Sequence, residues 1–211
     1  QRDIDRWEQR YPELTQVWPL AALQAGLFFH ARLAASSVDV YTAQAVLTLT
    51  GRVDATRLRA AAQALLDRHE TLRTAFVTDH DGNAVQIVLD HAQVAWTEHD
   101  RTENGEFADL VEADRTARFD LAAPPLIRFT LIRIAEHEWR FVVSNHHILL
   151  DGWSTPLVMR DLLALYALHG DASALPAVRS YRHFLEWVAQ QDHSVSVAAW
   201  SEALRGVTEP T

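Results

Sequence analysis

Trp139-Arg140-Phe141-Val142-Val143-Ser144-Asn145-His146-His147-Ile148-Leu149-Leu150-Asp151-Gly152 is the stretch on which the reading of this chain turns. Its apolar first half predicts a strand over 139–145, and that strand delivers two adjacent imidazoles to its end. Histidine takes up and returns a proton near neutral pH, so the pair is a candidate base. Asp151, four residues after His147, can set the geometry of the turn, and Gly152 allows backbone and substrate to approach closely. A helix over 153–168 follows, whose first turn would offer free N–H groups and a positive dipole end to a developing oxyanion. A metal is one competing use, because histidine and aspartate both bind zinc and iron. The spacing is not HExxH, adjacent histidines splay apart on a strand, and no third ligand is evident, so no metal is expected. Two satisfied core histidines are the plainer alternative.

Outward from this stretch, strands and helices mix without strict alternation. A short polar helix over 3–10 closes at Tyr11-Pro12, and a second helix, over 20–33, is opened by Pro19. A strand over 43–49 ends at Gly51, and Asp54 caps a helix over 55–69 whose buried stripe is Leu58, Ala62, Leu65 and Leu66. Strands over 72–78 and 85–89 are joined by the turn Asp79-His80-Asp81-Gly82, with a further strand over 93–98. A helix over 106–119, Pro124-Pro125 and a strand over 126–134 lead to the turn at 136–138. After a looser segment over 170–180, one long helix spans 181–204 and carries Trp187 and Trp200. The pattern is that of an α+β protein, with helices packed in a sandwich on a mixed, largely antiparallel sheet.

Composition narrows the function classes. At 211 residues the chain holds one large domain or two small ones. A net charge of −9 and the lack of any basic stripe argue against a nucleic-acid partner. No apolar run reaches membrane-spanning length, and Gln1-Arg2-Asp3 shows no signal-peptide pattern, so a cytoplasmic protein with no membrane partner is expected. Cysteine is absent, which removes disulfides and thiolate chemistry. All nineteen basic residues are arginine, so no lysine can form a Schiff base or cradle a phosphate.

A second motif is Arg68-His69-Glu70-Thr71-Leu72-Arg73-Thr74-Ala75-Phe76, at a helix-to-strand junction. Arg68 and His69 suit a helix C-terminus. Arg73 enters an apolar strand, and if buried it needs a carboxylate partner, for which Asp151 is the candidate.

Taken together, these motifs resemble the condensation domains of nonribosomal peptide synthetases, within the chloramphenicol-acetyltransferase-like superfamily. The stretch from Pro19 through Gln24 and Gly26 to His30 is similar to the family's first core motif, loosely kept. Arg68–Phe76 matches RHExLRTxF and His146–Gly152 matches HHxxxDG, continued by Trp153-Ser154. Tyr181–Trp187 resembles YxDYxxW, with His183 where aspartate is expected. Epimerization relatives continue HHxxxDG with Ser-Trp, and heterocyclization relatives replace the histidines with aspartate-based motifs; neither fits.

The resemblance implies a linker helix over 1–18 and the N-terminal lobe of a condensation domain over 19–211, without its C-terminal lobe. It implies amide-bond formation between donor and acceptor thioesters. Both would arrive on phosphopantetheine arms of peptidyl carrier proteins, beside an adenylation domain, with no cofactor bound directly. His147 would be the general base or a positioning group, and His146 mainly architectural. Gly152 would keep the site open and offer its N–H to the oxyanion. Asp151 and Arg73 would form a structural salt bridge, and Trp153 and Ser154 would meet substrate. A free-standing trimeric acyltransferase and a non-catalytic carrier-docking module are the rival readings.

Overall fold

The pattern of apolar residues sets the following elements, described in a computed structural model for residues 2–33, 40–101 and 107–209. In chain order they are α1 (Arg2–Arg10), β1 (Leu14–Pro19), α2 (Ala22–Leu33), β2 (Thr42–Thr50), α3 (Ala55–Arg68), β3 (Thr74–Thr78) and β4 (Ala84–Leu89). They continue with β5 (Ala95–Asp100), α4 (Ala108–Thr116), β6 (Ile127–Ala135), β7 (Glu138–His146), α5 (Ser154–Ala167), α6 (Tyr181–Ala189) and α7 (His193–Ala203). Two compact units result, Gln1–Arg179 and Ser180–Thr211.

The larger unit carries two sheets. One has the order β2-β7-β6-β5, antiparallel except where β5 runs parallel to β6. The other is the antiparallel β1-β4-β3. Period-two alternation turns Phe129, Leu131, Phe141 and Val143 to one face of the first sheet, where they join Leu58, Leu65 and Leu66 of α3 and Val158, Leu162 and Leu165 of α5. Asp54 caps α3 as expected, its carboxylate accepting the Arg57 N–H at 2.9 Å. On the second sheet, Trp7 of α1 and the following Tyr11 pack with Ala75, Val77, Ile87 and Leu89. A third cluster joins Phe28, Phe76 and Leu126 to Ile148, which lies inside the histidine motif.

Several expectations shift. The predicted linker helix over 1–18 holds only for α1, because residues 14–19 form β1, hydrogen-bonded into the second sheet. Pro19 therefore ends a strand rather than opening a helix, and α2 starts at Ala22. Leu72 and Arg73 belong to a 3-10 turn (Glu70–Arg73), tightened by the Thr74 hydroxyl donating to the Glu70 carbonyl at 3.0 Å. The helix expected over 106–119 spans Ala108–Thr116; the predicted start at Glu106 lies outside the described residues, as do Gln1, Pro210 and Thr211 at the predicted domain limits.

In the smaller unit the expected single helix is two. The Asp192 carboxylate accepts the Ser194 N–H at 2.8 Å and the Ser194 hydroxyl at 2.7 Å, which starts α7 afresh after α6 has ended. Arg182 and Glu186, 2.7 Å apart, brace α6, and Tyr181, Phe184 and Trp187 stack along it.

Two neighbouring leucines test the placement of α5. Leu162 is 0% exposed and Leu163 49% exposed. Leu162→Ala should lower unfolding stability by about 2–5 kcal/mol in urea titrations, whereas Leu163→Ala should change it by less than about 0.5 kcal/mol.

Candidate active site

The chain leaves β7 through a loop whose polar groups are held from several sides. Burial of Ile148 pins the middle of this loop. Around it, the His146 carbonyl accepts the Leu149 N–H at 3.0 Å and the Asn145 side-chain amide at 3.1 Å. The His147 N–H donates to the Tyr41 carbonyl at 2.8 Å. Gln24, on α2, donates from Nε2 to the Ile148 carbonyl at 3.2 Å, while its Oε1 accepts the Ala21 N–H at 3.0 Å. Gln86, buried on β4, donates from Nε2 to Gln24 Oε1 at 3.1 Å and to the Pro19 carbonyl at 2.8 Å. The first core motif thus reaches the histidine loop directly through Gln24.

The two imidazoles are set in opposite tautomers. Nδ1 of buried His146 accepts the Ile148 N–H at 3.1 Å, so its ring proton sits on Nε2. Nδ1 of His147 lies 2.6 Å from the Leu150 carbonyl, which can only accept, so here Nδ1 carries the proton. In the neutral ring this leaves the lone pair of His147 on Nε2. His147 is exposed while His146 is buried, which separates a presented imidazole from a structural one.

Asp151 and Arg73 do not pair, contrary to expectation. The Asp151 Oδ1 accepts the Ser154 N–H at 2.8 Å and the Ser154 hydroxyl at 2.6 Å, and its carbonyl accepts the Thr155 N–H at 3.1 Å. These Ser154 hydrogen bonds, with a further one from the Trp153 N–H, hold its carboxyl below the usual carboxylate range. Asp151 is a capping residue, and the short reach of an aspartate side chain explains why it stays with α5. The helix start is therefore less open than expected: Pro156 has no N–H, those of residues 153–155 are engaged by Asp151, and the Gly152 N–H is left without an acceptor among the described residues.

Gly152 is not required by its own backbone or packing. Its φ lies outside the left-handed region, and a Cβ built there would meet nothing within 4 Å. Trp153 is 87% exposed beside it, whereas the Ser154 hydroxyl proton is committed to the cap.

Arg73, only 9% exposed, is satisfied by main-chain carbonyls. Nε donates to Leu89 at 2.7 Å, and one terminal nitrogen donates to Leu66 and Asp67, both at 2.7 Å. A cation at the C-terminal carbonyls of α3 is favoured by the helix dipole, and this one also ties α3 to the end of β4. The carboxylate that serves the motif is Asp161, buried on α5: Oδ2 accepts from Arg68 Nε at 3.1 Å and lies 3.0 Å from His69 Nε2. Arg160 reaches Oδ1 with Nη2 at 2.8 Å. Asp161 was readable as a carboxylate on the stripe of Val158, Leu162 and Leu165, a position a solvated residue would not take.

Burial would raise the Asp161 carboxyl, but hydrogen bonds from Arg160, Arg68 and His69 outweigh it and hold the group ionised. Burial pushes the His69 imidazole down, and Asp161 opposes this only in part. With two guanidiniums already on Asp161, His69 is neutral and donates its Nε2 proton.

The condensation-domain family model matches residues 15–211. Over 219 aligned residues, covering 100% of this chain and 3% of that protein, the sequence is 36% identical to one of the linear gramicidin synthase proteins of Brevibacillus parabrevis. It is 31% identical to bacitracin synthase 3 of Bacillus licheniformis over 204 residues, 93% of this chain and 3% of that protein. The starter condensation domain of rhizomide synthetase superposes with a TM-score of 0.80 at 22% identity, over 93% of this chain and 50% of that one. The first condensation domain of the calcium-dependent antibiotic synthetase does so at 0.79 and 21%, over 93% and 49%. The chain belongs to the condensation-domain family. It spans about half the length of those solved condensation domains and a small part of the synthetases it matches, and its fold is that of their corresponding half.

No described helix is long and apolar enough to cross a membrane. Among the described residues, no group of three or more histidine and acidic side chains could hold a metal ion.

Two measurements follow from this geometry. Replacing Asp151 with alanine should cost about 1 kcal/mol in thermal or urea unfolding through loss of the cap, and Asp151→Asn should recover most of it. Because the folded chain depresses His69, the unfolded chain binds a proton that the folded one refuses. That stability is complete above the unfolded histidine value of about 6.5 and is lost as pH falls below it. Unfolding midpoints taken from about pH 7.5 to 5.5 should decline less steeply in His69→Gln than in the parent.

Proposed function

We propose that this chain is the histidine-bearing N-terminal lobe of a condensation domain that joins two carrier-bound substrates through an amide bond in nonribosomal peptide synthesis. The observation that carries the reading is the hydrogen bond from His147 Nδ1 to the Leu150 carbonyl, which leaves Nε2 with a lone pair on an exposed ring. Donor and acceptor would arrive as thioesters on phosphopantetheine arms of two peptidyl carrier proteins, with adenylation domains of the same assembly loading the carriers.

In the reaction the acceptor amine forms a C–N bond to the donor thioester carbon, and His147 Nε2 takes the proton released by the attacking nitrogen. The carbonyl oxygen of the tetrahedral intermediate accepts the Gly152 N–H. Collapse breaks the C–S bond, and the imidazolium returns the proton to the departing thiolate. The thioester is already activated, so orienting the amine supplies part of the rate. His146 fixes the loop rather than touching substrate, Trp153 walls the approach, and Asp151 with Ser154 holds the helix start that presents Gly152.

The test uses a protein carrying this chain together with the other half of a condensation domain, and two loaded carriers. His147→Ala should lower the single-turnover rate by about 10²- to 10⁴-fold, with carrier binding intact. An unchanged rate would remove His147 from the reaction. The chain by itself should form no product, and turnover by the isolated chain would show that the second half is dispensable.

A further inference from the structure

A groove of about 670 Å³ lies away from the histidine loop, between α1, α2, β3 and residues 118–122. Its floor is aromatic, formed by the buried rings of Trp7, Phe28 and Phe76. Its walls carry Arg6, Arg10, Arg32 and Arg118, with Asp120 the one carboxylate among the described lining residues.

The guanidiniums are held in different ways. Arg6 pairs with Asp3 at 2.8 Å and donates to the Thr78 carbonyl at 3.0 Å, while Arg118 donates to the Ala31 carbonyl at 3.0 Å. Arg10 and Arg32 pair with no carboxylate among the described residues. Each instead rests over an aromatic ring, Arg10 at 5.3 Å from the centre of Tyr11 and Arg32 at 5.8 Å from that of Phe28. Stacking occupies the faces of a guanidinium and leaves its in-plane N–H donors free to grip an oxyanion in bidentate fashion. An apolar floor beneath a few convergent polar groups is the make-up of a small-molecule site, and the volume falls in the usual range of about 300–1,000 Å³.

We propose that this groove binds a small organic anion, a phosphate or carboxylate on an aromatic or aliphatic stem. Arg10 and Arg32 grip the charged end, and the stem lies against the exposed edges of Trp7 and Phe28, which Phe76 backs from within. Asp120 sets a limit on the ligand, since it repels a second negative charge placed on its side of the groove.

Isothermal titration of the chain at low salt with phenyl phosphate, phenylacetate and inorganic phosphate tests this. At least one aryl anion should bind, and the ratio of the two affinities assigns the head group. Inorganic phosphate should bind about tenfold or more weakly than phenyl phosphate, because it leaves the aromatic floor uncovered. Replacing Arg10 and Arg32 together by glutamine should weaken aryl-anion binding about tenfold or more, with an unchanged unfolding midpoint. Arg59→Gln, on the exposed side of α3, should leave binding as it was. Absence of heat from both aryl anions would overturn the proposal, as would a double variant that binds like the parent. Equal affinity for inorganic and phenyl phosphate would overturn the role of the floor.

Discussion

Burial of Ile148 is the constraint on which the arrangement of the site depends. Its side chain sits among Phe28, Phe76 and Leu126, so the backbone on both sides is drawn against the core just where the chain leaves a strand and loses its ladder partners. Main-chain N–H and C=O groups in such a place must be satisfied inside the fold. Asn145, Gln24, Tyr41 and the two imidazoles do this, and the consequence is chemical as well as structural. The bond that satisfies the Leu150 carbonyl also decides which nitrogen of His147 is left to take a proton.

The same need governs the charged motif. A buried guanidinium is tolerated only when its donors are met, and Arg73 meets them with three carbonyls at an α3–β4 junction rather than with a carboxylate. Asp161 is the reciprocal case. A buried carboxylate draws Arg68, His69 and Arg160 to itself and so fastens α3 to α5. Since α5 begins at the Asp151 cap, this cluster also anchors the helix whose start borders His147.

What could be read in the chain follows from the range of each interaction. The Asp54 cap, the stripe of α3 and the strand leading into His146 are local periodicities, and the structure has them where they were expected. A continuous helix through α6 and α7 also rests on local periodicity, and there a competing local signal, Asp192 followed by Ser194, prevails. Separation into two sheets rests on pairings between distant strands, such as β1 with β4, which no window of sequence contains. Arg73 is of the same kind. Its burial was legible from its apolar neighbours, but carbonyls carry no residue identity, so its partners could not be named from the side chains available. Asp161 differs, because its place on an apolar helical stripe marked it as a buried acid in need of cations.

Exposure of His147 and Gly152 bears on how well the proposed chemistry could run at this surface. A single N–H facing water stabilises a developing oxyanion weakly, because solvent screens the interaction and competes for the donor. The same donor becomes effective when water is removed and the dipole is held fixed. Holding is already supplied by this chain: the carbonyls of His146, Ile148, Leu150 and Asp151 are each tied, and Asp151 occupies the neighbouring amides so that the Gly152 N–H is left over among the described residues. Exclusion of water is not, since His147, Gly152 and Trp153 all lie open. On the proposed function, a surface that covers these three residues would raise the rate without altering any residue of the site, and the division of labour would be between a lobe that orients and a lobe that encloses.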